Sequence, residues 1–121
     1  MTDSNRSDLD TLVDSWLTLP EVADRLGIGV SRARQLVRDR QVLAARRGES
    51  NALMVPADFV QDGRVLKGLP GVLTLLKDAR YEDDEALRWL YTDDDLPGSP
   101  AQALVENRGT EVKRRAQALG F

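Results

Sequence analysis

Apolar residues recur at helical spacing in the first third of the chain, alternate briefly near its middle, and return to helical spacing after Pro70. Leu9, Leu12, Val13 and Trp16 stand three, four and seven apart, which predicts a short amphipathic helix capped by Ser7. Thr18-Leu19-Pro20-Glu21 is a stronger start signal. Thr18 can accept from the first-turn amides, Glu21 can reach back, and Pro20 has no amide hydrogen to satisfy. The helix it opens turns Val22, Ala23 and Leu26 inward and stops at Gly27. After Ile28 and Gly29 a second helix begins, with Ser31 as the expected cap. Ala33, Leu36 and Val37 face inward there, and Arg32, Arg34, Gln35 and Arg38 face outward.

The middle changes character. Val42 to Arg46 and Leu53 to Val55 flank the turn-rich Arg47-Gly48-Glu49-Ser50-Asn51, which predicts a β-hairpin. Pro56 opens a brief helical turn through Phe59. Beyond it, Val72, Leu73, Leu75 and Leu76 predict a helix from Pro70 to Ala79. A further helix runs from Asp83 to Tyr91, its leading carboxylates suited to the positive helix end, and buries Leu87 and Leu90 together with Trp89 or Tyr91. Asp93 to Gly98 reads as a loop. Ser99-Pro100-Ala101-Gln102 is another capping signal, for a helix expected to run on through Gly109 to Leu119 along the stripe Leu104, Val105, Val112, Ala116 and Leu119.

Two short helices around a glycine-containing turn are the helix-turn-helix pattern. Crossing helices touch over a small area, so a small residue, Ala23, belongs at the contact, and Gly27 supplies a turn residue that tolerates positive φ. Val22, Leu26, Ile28, Ala33 and Leu36 fill the apolar framework. The expected architecture is a mainly α, winged helix-turn-helix protein with a small β-hairpin wing and a C-terminal helical extension. Residues 1–6 form a flexible tail, 7–62 the winged helix-turn-helix, and 63–121 a helical extension packed on the same domain.

Composition narrows the chemistry. A chain of 121 residues has room for one domain. With no cysteine and no histidine it holds no disulfide, thiolate nucleophile, Cys/His zinc site or imidazole triad. No P-loop glycine motif is present, and Asp93-Asp94-Asp95 lacks the ligand order of a calcium loop. An enzyme, a cofactor and a metal are therefore not expected. No apolar run exceeds four residues, so no membrane partner is expected, and the polar, acidic start is not a secretory signal; a cytoplasmic protein is expected.

The net charge of −3 hides an asymmetry. Between Arg25 and Arg47 there are seven arginines and one acid, Asp39, whereas Asp78 to Asp95 holds eight acids against Arg80 and Arg88. Arginine can donate two bonds to guanine, and glutamine can pair likewise with adenine. Ser31, Arg32, Arg34, Gln35 and Arg38 on a recognition helix over 31–39, with Arg46 and Arg47 at the wing, are the expected contacts to double-stranded DNA. A transcriptional regulator or nucleoid-associated factor is the expected role. The competing expectation is a protein-interaction or dimerisation adaptor using the helices of 69–91, and a homodimer would lengthen the site read.

Three segments carry a resemblance: LPEVADRLGIGVS (19–31), VLKGLPGVLTLLKDARYEDDEALRWLYT (65–92) and EVKRRAQALGF (111–121). From Leu17 to Phe121 the chain resembles a small actinobacterial family of winged helix-turn-helix DNA-binding proteins, typified by a mycobacterial substrate of Ser/Thr protein kinase L. The middle segment is the most specific, since ordinary excisionase-like winged helices lack it. The resemblance implies an intracellular DNA-binding protein and, as a candidate partner, a Ser/Thr protein kinase. Thr2 and Thr11 are the threonines ahead of the match, and neither stands at a clear counterpart of the family's phosphorylated position.

Overall fold

The computed structural model describes residues 9, 11–92 and 98–120. In chain order they form β1 (Trp16–Thr18), α1 (Leu19–Leu26), α2 (Val30–Arg38), β2 (Ala45–Arg47), β3 (Ala52–Pro56), a 3-10 turn (Ala57–Phe59), β4 (Val60–Gln61), β5 (Arg64–Val65), α3 (Leu69–Asp78), α4 (Asp83–Tyr91), α5 (Pro100–Val105) and α6 (Gly109–Ala118). Helices α1 and α2 with the β2–β3 wing make a winged helix-turn-helix, and α3 to α6 make the C-terminal extension.

The first helix stops short of the expected Trp16. Leu9, Thr11 and Leu12 are helical, and the Val13 amide donates to Leu9 O at 2.9 Å. Trp16 instead begins β1, because pairing with β3 satisfies backbone groups that the short helix could not. The proposed Ser7 cap lies outside the described residues.

Thr18 does double duty as the last residue of β1 and the cap of α1. Its hydroxyl accepts from the Glu21 amide at 3.3 Å, and Glu21 Oε1 accepts from the Thr18 amide at 2.8 Å. That backbone bond, then the hydroxyl, holds the Glu21 carboxyl below its ordinary value. Helix α1 ends at Gly27 with φ +68°, the left-handed conformation that glycine adopts freely. Helix α2 is capped by Gly29, in extended conformation, instead of Ser31. Once Gly29 takes the cap, Ser31 falls inside the first turn.

The three-stranded antiparallel sheet has the order β1-β3-β2. Paired residues Leu17 and Val55 are both buried and share one face of the sheet. Since alternate residues point to opposite faces, Arg46 and its partner Leu53 share that face, while Trp16, Met54, Ala45 and Arg47 take the other. A second hairpin, β4–β5, turns through Asp62 (φ +53°) and Gly63 (φ +77°) and was not foreseen.

The core is continuous through both halves, from Leu17, Val22, Ala33 and Phe59 to Leu73, Leu87, Leu90 and Val112. Each fully buried leucine or phenylalanine contributes roughly 1.5–3 kcal/mol. The apolar faces of 69–91 are used here: Leu69, Val72, Leu73, Leu76, Leu87 and Leu90 are all buried, with Trp89 and Tyr91 half-buried. The Tyr91 hydroxyl donates to Asp58 Oδ2 at 2.9 Å, tying α4 to the turn after the wing. Burial first, and then the Asp58 charge, raises the Tyr91 phenol well above its ordinary value.

The expected continuous helix from Ser99 to Leu119 breaks. Asn107 adopts φ +64°, and the Asn107 and Arg108 amides donate back to Leu104 O and Ala103 O at 3.0 and 2.7 Å. This is a Schellman termination with asparagine in the left-handed position, and it separates α5 from α6. The Asp93–Asp95 loop lies outside the described residues.

Candidate nucleic-acid interface

Helix α2 has an apolar side of Ala33, Leu36 and Val37, and it packs chiefly on α1. With ~100° between successive residues, Ser31, Gln35 and Arg38 lie at the centre of the opposite side. Arg32 and Arg34 sit on its two margins. All five are exposed. Neither the Arg32 nor the Arg34 side chain makes a hydrogen bond or ion pair with any described residue.

The other polar groups of α2 form a short chain along its surface. Arg38 Nη2 donates to Gln35 Oε1 at 3.0 Å, and Gln35 Nε2 donates to Asp39 Oδ1 at 2.9 Å. These exposed bonds exchange readily for bonds to a ligand, since each contributes little beyond what water offers. Helix α2 has no side-chain cap, so its first-turn amides and the exposed Ser31 hydroxyl stand at its positive end.

The wing separates two arginines expected together. Arg46 is exposed, with Nη1 donating to Asn51 O across the hairpin at 3.1 Å. Arg47 is 5% exposed, and its guanidinium carbon lies 4.9 Å from the Trp16 ring centroid, a cation–π contact. The expectation that both reach outward from the tip is corrected for Arg47. Neighbouring strand residues face opposite ways, and Arg47 shares its sheet face with Trp16, against which it is buried. Strand parity was the available signal.

Between the wing and the start of α4 lies a cleft of about 470 Å³, walled by Ala45, Arg46 and Asn51 on one side and by Glu82, Asp83 and Asp84 on the other. At the end of α2, Arg40 donates from Nη1 to Asp83 Oδ1. In the sequence Arg40 is one arginine of the basic run, and nothing local marks its distant partner. Among the described residues no group of three or more His, Cys, Asp or Glu side chains is placed to hold a metal ion, and no helix is long and apolar enough to cross a membrane.

Residues 7–60 match the family model described as "DNA-binding protein Rv2175c, wHTH domain", and residues 66–120 match "Rv2175c C-terminal domain of unknown function". The chain is 38% identical to the DNA-binding protein Rv2175c of Mycobacterium tuberculosis (strain ATCC 25618 / H37Rv), covering 85% of this chain and 79% of that protein. It belongs to the Rv2175c family. The fold agrees: an NMR structure of Rv2175c superimposes with a TM-score of 0.79 at 36% identity, covering 88% of this chain and 82% of the other. The Rv2175c family thus accounts for both halves, and the second of its two models carries no assigned role.

Proposed function

We propose that this protein binds double-stranded DNA as a transcriptional regulator or nucleoid-associated factor, with α2 in the major groove. The observation that carries the reading is the pair Arg32 and Arg34, exposed on the second helix of a winged helix-turn-helix and free of partners among the described residues. Arg32, Arg34 and Gln35 meet base edges, Arg38 and Ser31 meet phosphates, and Arg46 flanks from the wing. Arg47, buried against Trp16, is not among the contacts. The relative at 38% identity is named a DNA-binding protein, which agrees with this reading.

The test is selection of bound duplexes from a random pool, followed by titration at two salt concentrations. A shared sequence should emerge, and log K should fall by about 0.9 for each phosphate contacted per tenfold rise in salt. No shared sequence together with salt-independent binding overturns the reading. Two further expectations have their own measurements: stoichiometry of the complex for pairing of two copies, which would lengthen the site read, and intact mass after treatment with a Ser/Thr protein kinase for the phosphorylation that the family resemblance implies.

A further inference from the structure

Helix α4 touches the DNA-facing unit at both of its ends. Its first residue, Asp83, accepts from Arg40, two positions beyond the end of α2 and 43 positions away in sequence. Its last residue, Tyr91, donates to Asp58, which follows the final wing strand. Between those ties α4 and the wing stand apart across the cleft.

The Arg40 end is built to hold. Arg40 has φ +53°, and the Arg40 and Gln41 amides donate back to Val37 O and Leu36 O at 3.1 and 2.9 Å. This Schellman termination fixes the backbone from which the side chain leaves. Arg40 Nε and Nη2 are enclosed and have no hydrogen-bond partner among the described residues. Asp83 is therefore the group that compensates a guanidinium only 22% exposed, and its loss leaves a poorly solvated charge. The ion pairs of Arg88 with Asp84 and of Arg108 with Glu106 and Glu111, by contrast, link residues close in sequence. At the far end, the Phe59 and Tyr91 rings pack tilted by 32° with centroids 6.2 Å apart, beside the Tyr91–Asp58 bond.

We infer that α4 is a brace that sets the angle between the recognition helix and the wing, with Arg40 and Tyr91 as positioning residues for DNA binding. This gives the C-terminal helices a role, and it rests on the DNA-binding reading above. Helix α2 packs chiefly on α1, so its tilt relative to the wing depends on what holds its far end. Two surfaces that must meet a groove and its flanking backbone together lose affinity when their mutual angle is relaxed.

The experiment compares wild type with Asp83→Asn, Tyr91→Phe, the exchange Arg40→Asp/Asp83→Arg, and Arg34→Ala. It uses the full chain and the duplex selected above, with circular dichroism and melting as folding checks and residual dipolar couplings of the α2 and α4 amides as the geometric readout. Simple electrostatics predicts that Asp83→Asn, by removing a negative charge, tightens binding to a polyanion. The brace predicts the opposite sign: affinity about three- to fivefold weaker, the size expected of a partly exposed pair. The salt slope should stay unchanged and α2 should be rotated relative to α4. Tyr91→Phe should weaken binding similarly, and the charge exchange should restore most of the loss. A folded Asp83→Asn that binds as well as or better than wild type, while Arg34→Ala is weakened, overturns the brace and leaves the DNA reading standing. If Arg34→Ala and wild type bind alike and without salt dependence, the DNA reading fails and takes the brace with it.

Discussion

Two arginines of the C-terminal helices and two of α2 live differently. In the C-terminal helices Arg88 reaches Asp84 one turn back at 3.8 Å, and Arg108 reaches Glu106 and Glu111 at 2.7 and 3.1 Å. In α2, Arg32 and Arg34 stand exposed with no such acid beside them. Both regions hold charged residues on short amphipathic helices, so charge content alone says nothing about a partner. What separates them is whether a carboxylate waits three or four residues away. For Arg88 and Arg108 it does, and the charge is met within the helices; for Arg32 and Arg34 it does not, and the cation is available to another molecule.

The comparison can be broken most directly at α2. Changing both Arg32 and Arg34 to alanine should weaken specific DNA binding by roughly 2–6 kcal/mol, the sum of two base contacts, with little change in melting temperature. A folded double variant that binds like wild type would sink the assignment. Within the wing the contrast sharpens to neighbours. Arg47→Met should lower stability by roughly 0.5–2 kcal/mol through loss of the Trp16 contact while sparing the salt dependence of binding. Arg46→Met should do the reverse, spare stability, and reduce the salt slope by about 0.9.

Smaller effects follow at the helix ends. Thr18→Ala should cost about 1 kcal/mol in chemical denaturation, because the first-turn amide of α1 loses its acceptor. Arg108→Ala, at an arginine already paired with Glu106 and Glu111, should leave DNA titrations superimposable on wild type. The least effect is pH-dependent. Glu21 titrates below its ordinary 4.5 in the folded chain because it accepts from Thr18. Its contribution to stability is therefore complete above that value and disappears as pH falls through the lowered one. Melting curves recorded down to about pH 3 should show this acid loss in wild type, and Glu21→Gln should flatten it.

Much of the helix-turn-helix could be read before any coordinates because its signals are local. The Thr18–Glu21 box and the Gly27 stop bound α1, and three leading acids mark α4, whose limits agree with the periodicity. What escaped depends on partners far along the chain. Trp16 completes a helical stripe, yet its fate is decided by Pro56, forty residues away. Asn107 breaks a continuous apolar stripe because a left-handed residue ends α5, a choice that stripe periodicity does not register. Asp62-Gly63 between Val60 and Val65 was a legible hairpin signal. At the site, exposure of Arg32, Arg34, Gln35 and Arg38 followed from helical spacing, whereas the seating of Arg47 against Trp16 needed the strand register.

The arrangement of the small sheet has a mechanical consequence. Its middle strand, β3, is hydrogen-bonded on one side to the hairpin arm bearing Arg46 and on the other to the strand that runs without interruption into α1 through Thr18. A force on the hairpin is thus passed through one strand, β3, to the root of the first helix. The wing works as a lever whose short arm is already fastened to the scaffold it steadies.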